Sequence, residues 1–279
     1  MSGIRTNAAA ELLGVSPNTL RSWERRYGYP VPKRTVGNHR NYELMELQTL
    51  RDALAQTGNI SSAVELARQR QSEPANGDGL IAAFESFDES AADRAVEESL
   101  AIRPLERTVE EMLLPAVDEL AADPEREAEL EFAARWAAGW LHGARRLATT
   151  ASRPAGILLL DSSHGSEAEA VHAQALDLAL RRAGFRVLML SDELGEERMH
   201  RALRALDPTA IVFCGPGADT PGAVQLVRRI REAGFDVPLY GFRAGGLIGD
   251  AIPTAGERPS QVTGLLNTAL RHRAGQAFA

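Results

Sequence analysis

Cysteine is nearly absent from this chain, with Cys214 the only one among 279 residues. A lone thiol excludes an internal disulfide framework and any cysteine-rich metal site. Long apolar runs are missing too: nothing approaches the ~18 consecutive apolar residues that a membrane-crossing helix needs. The opening stretch, MSGIRTNAAAELLG, lacks the apolar core and cleavage site of a secretory leader. These absences lead us to expect a cytoplasmic protein with no membrane partner. What is present is ordinary for a globular protein, 44% apolar and 25% charged, in a length that suits two domains of usual size or three small ones.

The net charge of −7 is unevenly spread. Residues 1–70 hold ten Arg/Lys against six acids, a balance of +4, which leaves −11 for the remainder. Attraction to phosphates is local and screened, so a basic head on an acidic body points to a polyanion met by the head alone.

Four segments follow from composition and periodicity. Residues 1–70 read as short helices broken by tight turns. QSEPANGDG at 71–79 has linker composition. Residues 80–151 are rich in Ala, Leu and Glu with apolar recurrence near 3.6, which predicts a four-helix-bundle-like domain. From 152 to 279, short apolar runs (GILLLD, RVLML, TAIVFC, VPLYGF, DAIPT) alternate with amphipathic helices. That alternation predicts βαβ crossovers and a doubly wound parallel sheet of the flavodoxin/Rossmann kind. The expected class is therefore multidomain, α plus α/β.

In the head, Asn7–Leu13 has helical spacing with Thr6 placed as its N-cap, and Gly14 ends it. Ser16 suits the next N-cap and Pro17 the first helical position, where a missing N–H costs nothing. The helix NTLRSWERRYG buries Leu20 and one face of Trp23. It turns Asn18, Thr19, Arg21, Ser22, Arg25 and Arg26 to the outer side. Two short helices about a glycine turn make a helix-turn-helix, whose second helix enters the major groove. The segment after it is too proline-rich for helix. Lys33, Arg34, His39, Arg40 and Tyr42 there suit a β-wing laid along phosphates.

GVSPNTLRSWERRYGYPVPKRTVGNHRNY resembles the MerR family signature in order and spacing, over about residues 4–70. The resemblance implies DNA contacts from Thr19, Arg21 and Trp23 on the helix and from Arg40 and Tyr42 on the wing. It also implies a dimer or higher homo-oligomer on a pseudo-palindromic operator. With the bundle and sheet behind it, the whole chain resembles the CarH/LitR-type regulators, whose rear modules hold cobalamin as a light sensor. RRAG at a helix end, VLMLSDELGEERM after it, and the Gly245-Gly246 pair carry that resemblance.

The ligand chemistry departs from that family. Its first loop carries E/D-x-H-x-x-G, the histidine bound to cobalt and the glycine making room for the nucleotide tail. Here Asp161-Ser-Ser-His164-Gly165 is one residue out of register. Counting back from Arg181-Arg182-Ala183-Gly184 instead sets Glu169 at the ligand position and His172 at the glycine position. A carboxylate is a poor substitute for imidazole at cobalt. The family's Trp, nine residues, Glu-His pattern is likewise out of place: Trp136, Trp140 and His142 are present but not at that spacing, and Cys214-Gly-Pro-Gly replaces a serine motif.

Trp136, Trp140, His142, Asp161, His164, Glu169, His172, Gly245 and Gly246 are thus candidates for a non-cobalamin effector pocket. The alternative is a solvated loop and an aromatic filler between modules. Cys214, ending an apolar strand, reads as a buried small hydrophobe. No metal site and no catalytic group is expected. The leading expectation is a DNA-binding transcription regulator, not an enzyme, with a sensor or assembly module of unknown effector. The alternatives are a cobalamin-dependent light-responsive repressor and a corrinoid-carrying enzyme subunit.

Overall fold

The computed structural model describes residues 4–34, 39–72, 77–216, 221–232, 234–244 and 252–276. Contacts divide the chain into two compact units, Met1–Leu80 with Ser90–Met112, and Ile81–Glu89 with Leu113–Ala279. The helices of 80–151 are divided between the two units.

The first unit begins with β1 (Ile4–Arg5), α1 (Thr6–Leu12), α2 (Pro17–Tyr27), β2 (Lys33–Arg34), β3 (Arg40–Tyr42), α3 (Leu44–Thr57) and α4 (Ile60–Ser72). Gly14 turns the chain between α1 and α2 at φ +66, a conformation that side-chain-bearing residues avoid. Ser16 caps α2: its Oγ accepts from the Thr19 N–H at 3.1 Å, with Pro17 behind it. Thr6 is not the cap expected of it. Arg5 pairs with Asn41 in the sheet, so β1 runs directly into α1 and Thr6 is already helical, behind an Arg5 that makes no side-chain cap.

β3 is the central strand, antiparallel to β1 and to β2 (Lys33↔Asn41, Arg34↔Arg40). The wing turn, including Gly37 and Asn38, lies outside the described residues. Leu20, Tyr42, Leu47 and Leu50 are fully buried beneath this layer, and each leucine stabilises the fold by about 1.5–3 kcal/mol. After α4 the chain passes through α5 (Asp78–Glu85), whose residues fall on both sides of the division. The first unit then takes α6 (Glu89–Leu100) and α7 (Leu105–Thr108), joined by a buried hydroxyl pair, Ser99 Oγ to Thr108 Oγ1 at 2.9 Å. A π turn, Val109–Leu113, leads from α7 into α8 (Leu114–Ala121).

In the second unit, α9 (Glu127–Arg146) precedes an α/β layer. This runs β4 (Gly156–Asp161), α10 (Glu167–Arg182), β5 (Arg186–Ser191), α11 (Glu196–Leu206), β6 (Pro208–Cys214), α12 (Pro221–Glu232), β7 (Leu239–Phe242), β8 (Thr254–Gly256) and α13 (Pro259–Gln276). The five strands are all parallel, in order β5-β4-β6-β7-β8, the flavodoxin-like doubly wound arrangement. One core layer places Leu176, Leu180, Val262 and Leu266 against one face of the sheet. The other packs Met199, Leu203, Leu226 and Ile230 on the opposite face.

Two strands start later than their apolar runs suggest. VPLYGF enters the sheet at Leu239, and the DAIPT run contributes only Thr254 to a strand that continues to Gly256. Pro238 and Pro253 precede these starts. Neither can donate to the ladder, and their carbonyls instead accept from Ile211 and Gly241. Among the described residues, no helix is long and apolar enough to cross a membrane.

Candidate functional site

The head carries its charges on α2 and the wing. Asn18, Arg21, Ser22, Arg25 and Arg26 are exposed along α2, while Leu20 anchors its inner side. Arg21 Nη1 donates to Asn18 Oδ1 at 3.2 Å, which holds two polar groups side by side near the helix N-terminus. Thr19 is half-buried, with its hydroxyl 2.8 Å from Ser16 Oγ. Trp23 is also half-buried, packed on the head core as expected. Arg26 lies 5.4 Å over the Tyr27 ring. On the wing, His39 is exposed and Lys33 pairs with Glu43. The Arg34 side chain lies outside the described residues.

Of two residues expected at the phosphates, Tyr42 is buried and Arg40 is part-exposed, with one nitrogen bonded to Glu24. Tyr42 is 0% exposed, so its ring belongs to the head core and not to the DNA-facing surface. Its hydroxyl donates to Glu24 Oε1, and Arg40 Nε donates to Glu24 Oε2 at 2.9 Å. Burial first, then the bond to Glu24, pushes the Tyr42 phenol up to about 12, so it stays a donor. Glu24 was missed at the sequence level. Its only signal was its place in WERR, one turn after the buried Leu20 and beside the inward-turned Trp23.

A second carboxylate that the sequence reading passed over, Glu46 on α3, accepts from the Val31 N–H at 2.8 Å. Burial is the main cause that raises its pKa to about 7. It borders a cleft of about 300 Å³ with Val31, Lys33, Glu43, Pro104 and Arg107.

In the second unit, the expected effector residues that are described fall in several clusters. Asp161 accepts from the Ser163 N–H at 3.0 Å, and His164, at φ +49, sets Nε2 2.9 Å from Asp192 Oδ2. The bond to Asp192 raises the His164 pKa. His142 is exposed and touches Arg145 at 3.2 Å. It lines a separate cleft of about 320 Å³ with Leu141, Gln174, Asp177 and Met189. Trp136 stacks on Trp140 at 6.3 Å and meets Phe84 edge-on at 5.6 Å, an aromatic cluster in its own right. Gly245 and Gly246 lie outside the described residues. Cys214 is buried, and burial pushes its thiol well above the usual range, as fits a core residue.

Glu169 and His172 do come together, through two residues that the sequence did not single out. Arg243, after β7, grips Glu169 with Nε (3.0 Å to Oε2) and Nη2 (2.8 Å to Oε1). The same Nη2 reaches Asp118 Oδ1 on α8 at 3.2 Å, and His172 Nε2 lies 2.8 Å from that oxygen. His172 is 2% exposed and its Nδ1 is buried without a hydrogen-bond partner. Despite the cost of burial, the bonds to His172 and Arg243 leave the Asp118 pKa below the usual carboxylate value. Asp118 therefore stays an acceptor, and Nε2 of His172 carries the hydrogen between them. Arg243 adopts φ +51, an unfavourable conformation for a side-chain-bearing residue. Among the described residues, no group of three or more His, Cys, Asp or Glu is placed to hold a metal ion.

Comparison with known proteins decides what the head is. Residues 4–55 match the family model described as MerR HTH family regulatory protein. The head is a MerR-type helix-turn-helix domain. The likeness extends beyond it: the chain is 28% identical over 238 residues to the HTH-type transcriptional repressor CarH of Myxococcus xanthus, covering 73% of this chain and 76% of that one. It is 25% identical over 230 residues to the HTH-type transcriptional repressor CarA of the same organism, covering 78% of each. Both alignments are too long for the MerR domain alone, so they include part of the body. Two solved structures align more loosely. The methanol:cobalamin methyltransferase complex MtaBC of Methanosarcina barkeri gives a TM-score of 0.37 at 11% identity, over 74% of this chain and 83% of that chain. A cobalamin-binding protein of Desulfitobacterium hafniense gives 0.34 at 12%, over 69% and 98%.

Proposed function

We propose that this chain is a DNA-binding transcription regulator of the MerR type, acting as at least a dimer, whose body works without cobalamin. The observation that carries the first half is the exposed face of α2. Arg21, Arg25 and Arg26 stand there beside Asn18 and Ser22, on a capped helix whose opposite side is fixed in the core. Base edges are read by such a face, and phosphates by the wing beside it. The body then serves as a sensor or assembly module, not as an enzyme.

Support for the second half comes from the Glu169–Arg243–Asp118–His172 cluster. In the register set by the RRAG helix end, Glu169 stands where the CarH/LitR-type family has its cobalt-binding histidine, and its carboxylate is spent on Arg243. His172 stands at the family's space-making glycine, and its ring is buried against Asp118. His164, the out-of-register imidazole, is held by Asp192. We infer a poor fit to cobalamin from these residues: in that register no imidazole stands at the metal position, and His172 stands where the family has its glycine.

DNA binding is tested by enriching a duplex from a random-sequence pool with the wild-type chain, then titrating it with Arg21→Ala. A loss of about 10-fold or more at unchanged fold is expected, with affinity that falls steeply as salt rises. Failure to enrich any duplex would refute the reading. The cofactor reading is tested by incubation with adenosylcobalamin followed by gel filtration. Visible absorbance that travels with the protein would overturn it.

A further inference from the structure

We propose that Glu24 is the positioning residue that fixes the wing against the recognition helix, so that base reading and phosphate gripping occur in one register on DNA. The inference rests on the DNA-binding reading above. Glu24 lies on α2, and its side chain is only 10% exposed. Its two oxygens are divided between two residues of one strand: Oε2 takes Arg40 Nε at 2.9 Å and Oε1 takes the Tyr42 hydroxyl. Arg40 and Tyr42 are two apart on β3, so they project from the same face of the strand. One carboxylate thereby holds two points of a rigid strand, which restrains its rotation as well as its distance.

The arrangement is costly unless orientation matters. A carboxylate near a DNA-facing surface repels phosphates, and it takes up the Tyr42 hydroxyl and one nitrogen of Arg40. Tyr42 is buried and serves as a donor to Glu24, not to solvent. The wing is short and antiparallel, Lys33↔Asn41 and Arg34↔Arg40, and a two-stranded ribbon is marginally stable without support. β1 supports it from one edge, and Glu24 ties it to the helix that enters the groove. Without that tie, ordering the wing on DNA would be charged to the binding free energy.

The sign of one substitution separates positioning from mere proximity. Glu24→Gln keeps the size of the side chain and removes a negative charge from the DNA-binding domain. If Glu24 were only a nearby surface acid, this change would leave affinity equal or improve it. The positioning role predicts the reverse, roughly 10-fold weaker binding of the enriched duplex. It also predicts a shallower salt dependence, by about 0.9 for each phosphate that the wing no longer grips. Full-length protein is used, with far-UV circular dichroism and thermal midpoint recorded beside each titration. Equal or tighter binding by Glu24→Gln, with the salt slope unchanged, overturns the proposal. If Glu24→Gln lowers the folded fraction, Tyr42→Phe decides instead, since it removes only the hydroxyl. A weaker, shallower titration then supports the role and an unchanged one refutes it. Failure of the wild-type chain to enrich any duplex is a different result, and it would refute the DNA-binding reading itself.

Discussion

On α2 the guanidinium groups of Arg21, Arg25 and Arg26 belong to exposed residues, whereas in the body Arg243, Arg145 and Arg181 turn onto carboxylates that are largely buried. Asp177, 2% exposed, receives two of these arginines, and Glu169 receives the third. The contrast separates two uses of the same side chain. Exposed cations on a rigid helix contribute little to folding and are available to a polyanion. Cations that have surrendered their donors to internal acids hold elements together, here α8, α9, α10 and the segment after β7. A domain of the first kind is incomplete without a partner, while one of the second kind closes on itself.

Breaking the body's side of the comparison should give the largest effect. Arg243→Met leaves Glu169, whose side chain is 16% exposed, without its counter-charge. Removing one partner of a buried pair costs about 3–5 kcal/mol, and this pair, being partly solvated, should fall toward the lower end. The loss would be read as a reduced urea midpoint. Operator affinity, measured well below the transition, should stay within a factor of two or so of wild type. Arg243→Gly sharpens the point, because glycine removes the strain at φ +51 while deleting the same charge. If the glycine variant matches wild-type stability, the cluster contributes nothing net.

On the head's side, Arg21→Ala should show the opposite profile. It is expected to lose about 1–3 kcal/mol of DNA binding with stability near that of wild type. An Arg21→Ala chain that unfolds more easily and binds DNA normally would erase the distinction between the two regions.

The smallest effect is one of pH, and its sign differs between regions. Asp118 has its folded pKa lowered, so the stability it contributes is present above the ordinary carboxylate value and is lost as pH falls through the folded one. Glu46 is raised to about 7, so the folded head holds a proton that the unfolded chain has released. Between about pH 4.5 and 7 the head therefore loses stability as pH rises. Hydrogen exchange in the full chain reads both: protection in α3 should decline from about pH 5 to pH 8, and protection in α10 only on acidification. Glu46→Gln should flatten the α3 profile. An α3 profile already flat in wild type would show that the carboxylate of Glu46 titrates as in an open loop.

Much of this was legible in the sequence, for reasons specific to each element. Ser16-Pro17 announces a helix start by capping chemistry alone, and Gly14 announces the turn before it. The parallel sheet follows from apolar runs spaced by amphipathic helices. Thr6 misled because the competing event, strand pairing of Arg5 with Asn41, lies far along the chain. The MerR resemblance points to Arg40 and Tyr42 as phosphate contacts, but a motif does not show burial, and the structure buries Tyr42 while leaving Arg40 part-exposed. Arg243 and Asp118 could not be foreseen. They are separated by 125 positions, and only the return of the chain after β7 brings them to one oxygen. The division of the 80–151 helices between two units was hidden for the same reason, since periodicity marks an apolar face without naming what covers it.

The pairing of Glu169 and His172 on neighbouring turns of α10 also bears on how this body could change over generations. Replacing Glu169 by histidine would set an imidazole beside an uncompensated Arg243. Replacing His172 by glycine would take from Asp118 its closest partner and cost the helix about 1 kcal/mol through glycine's backbone freedom. Either single replacement would leave a charged group of the cluster short of a partner it now has, so neither position can be exchanged alone without a cost.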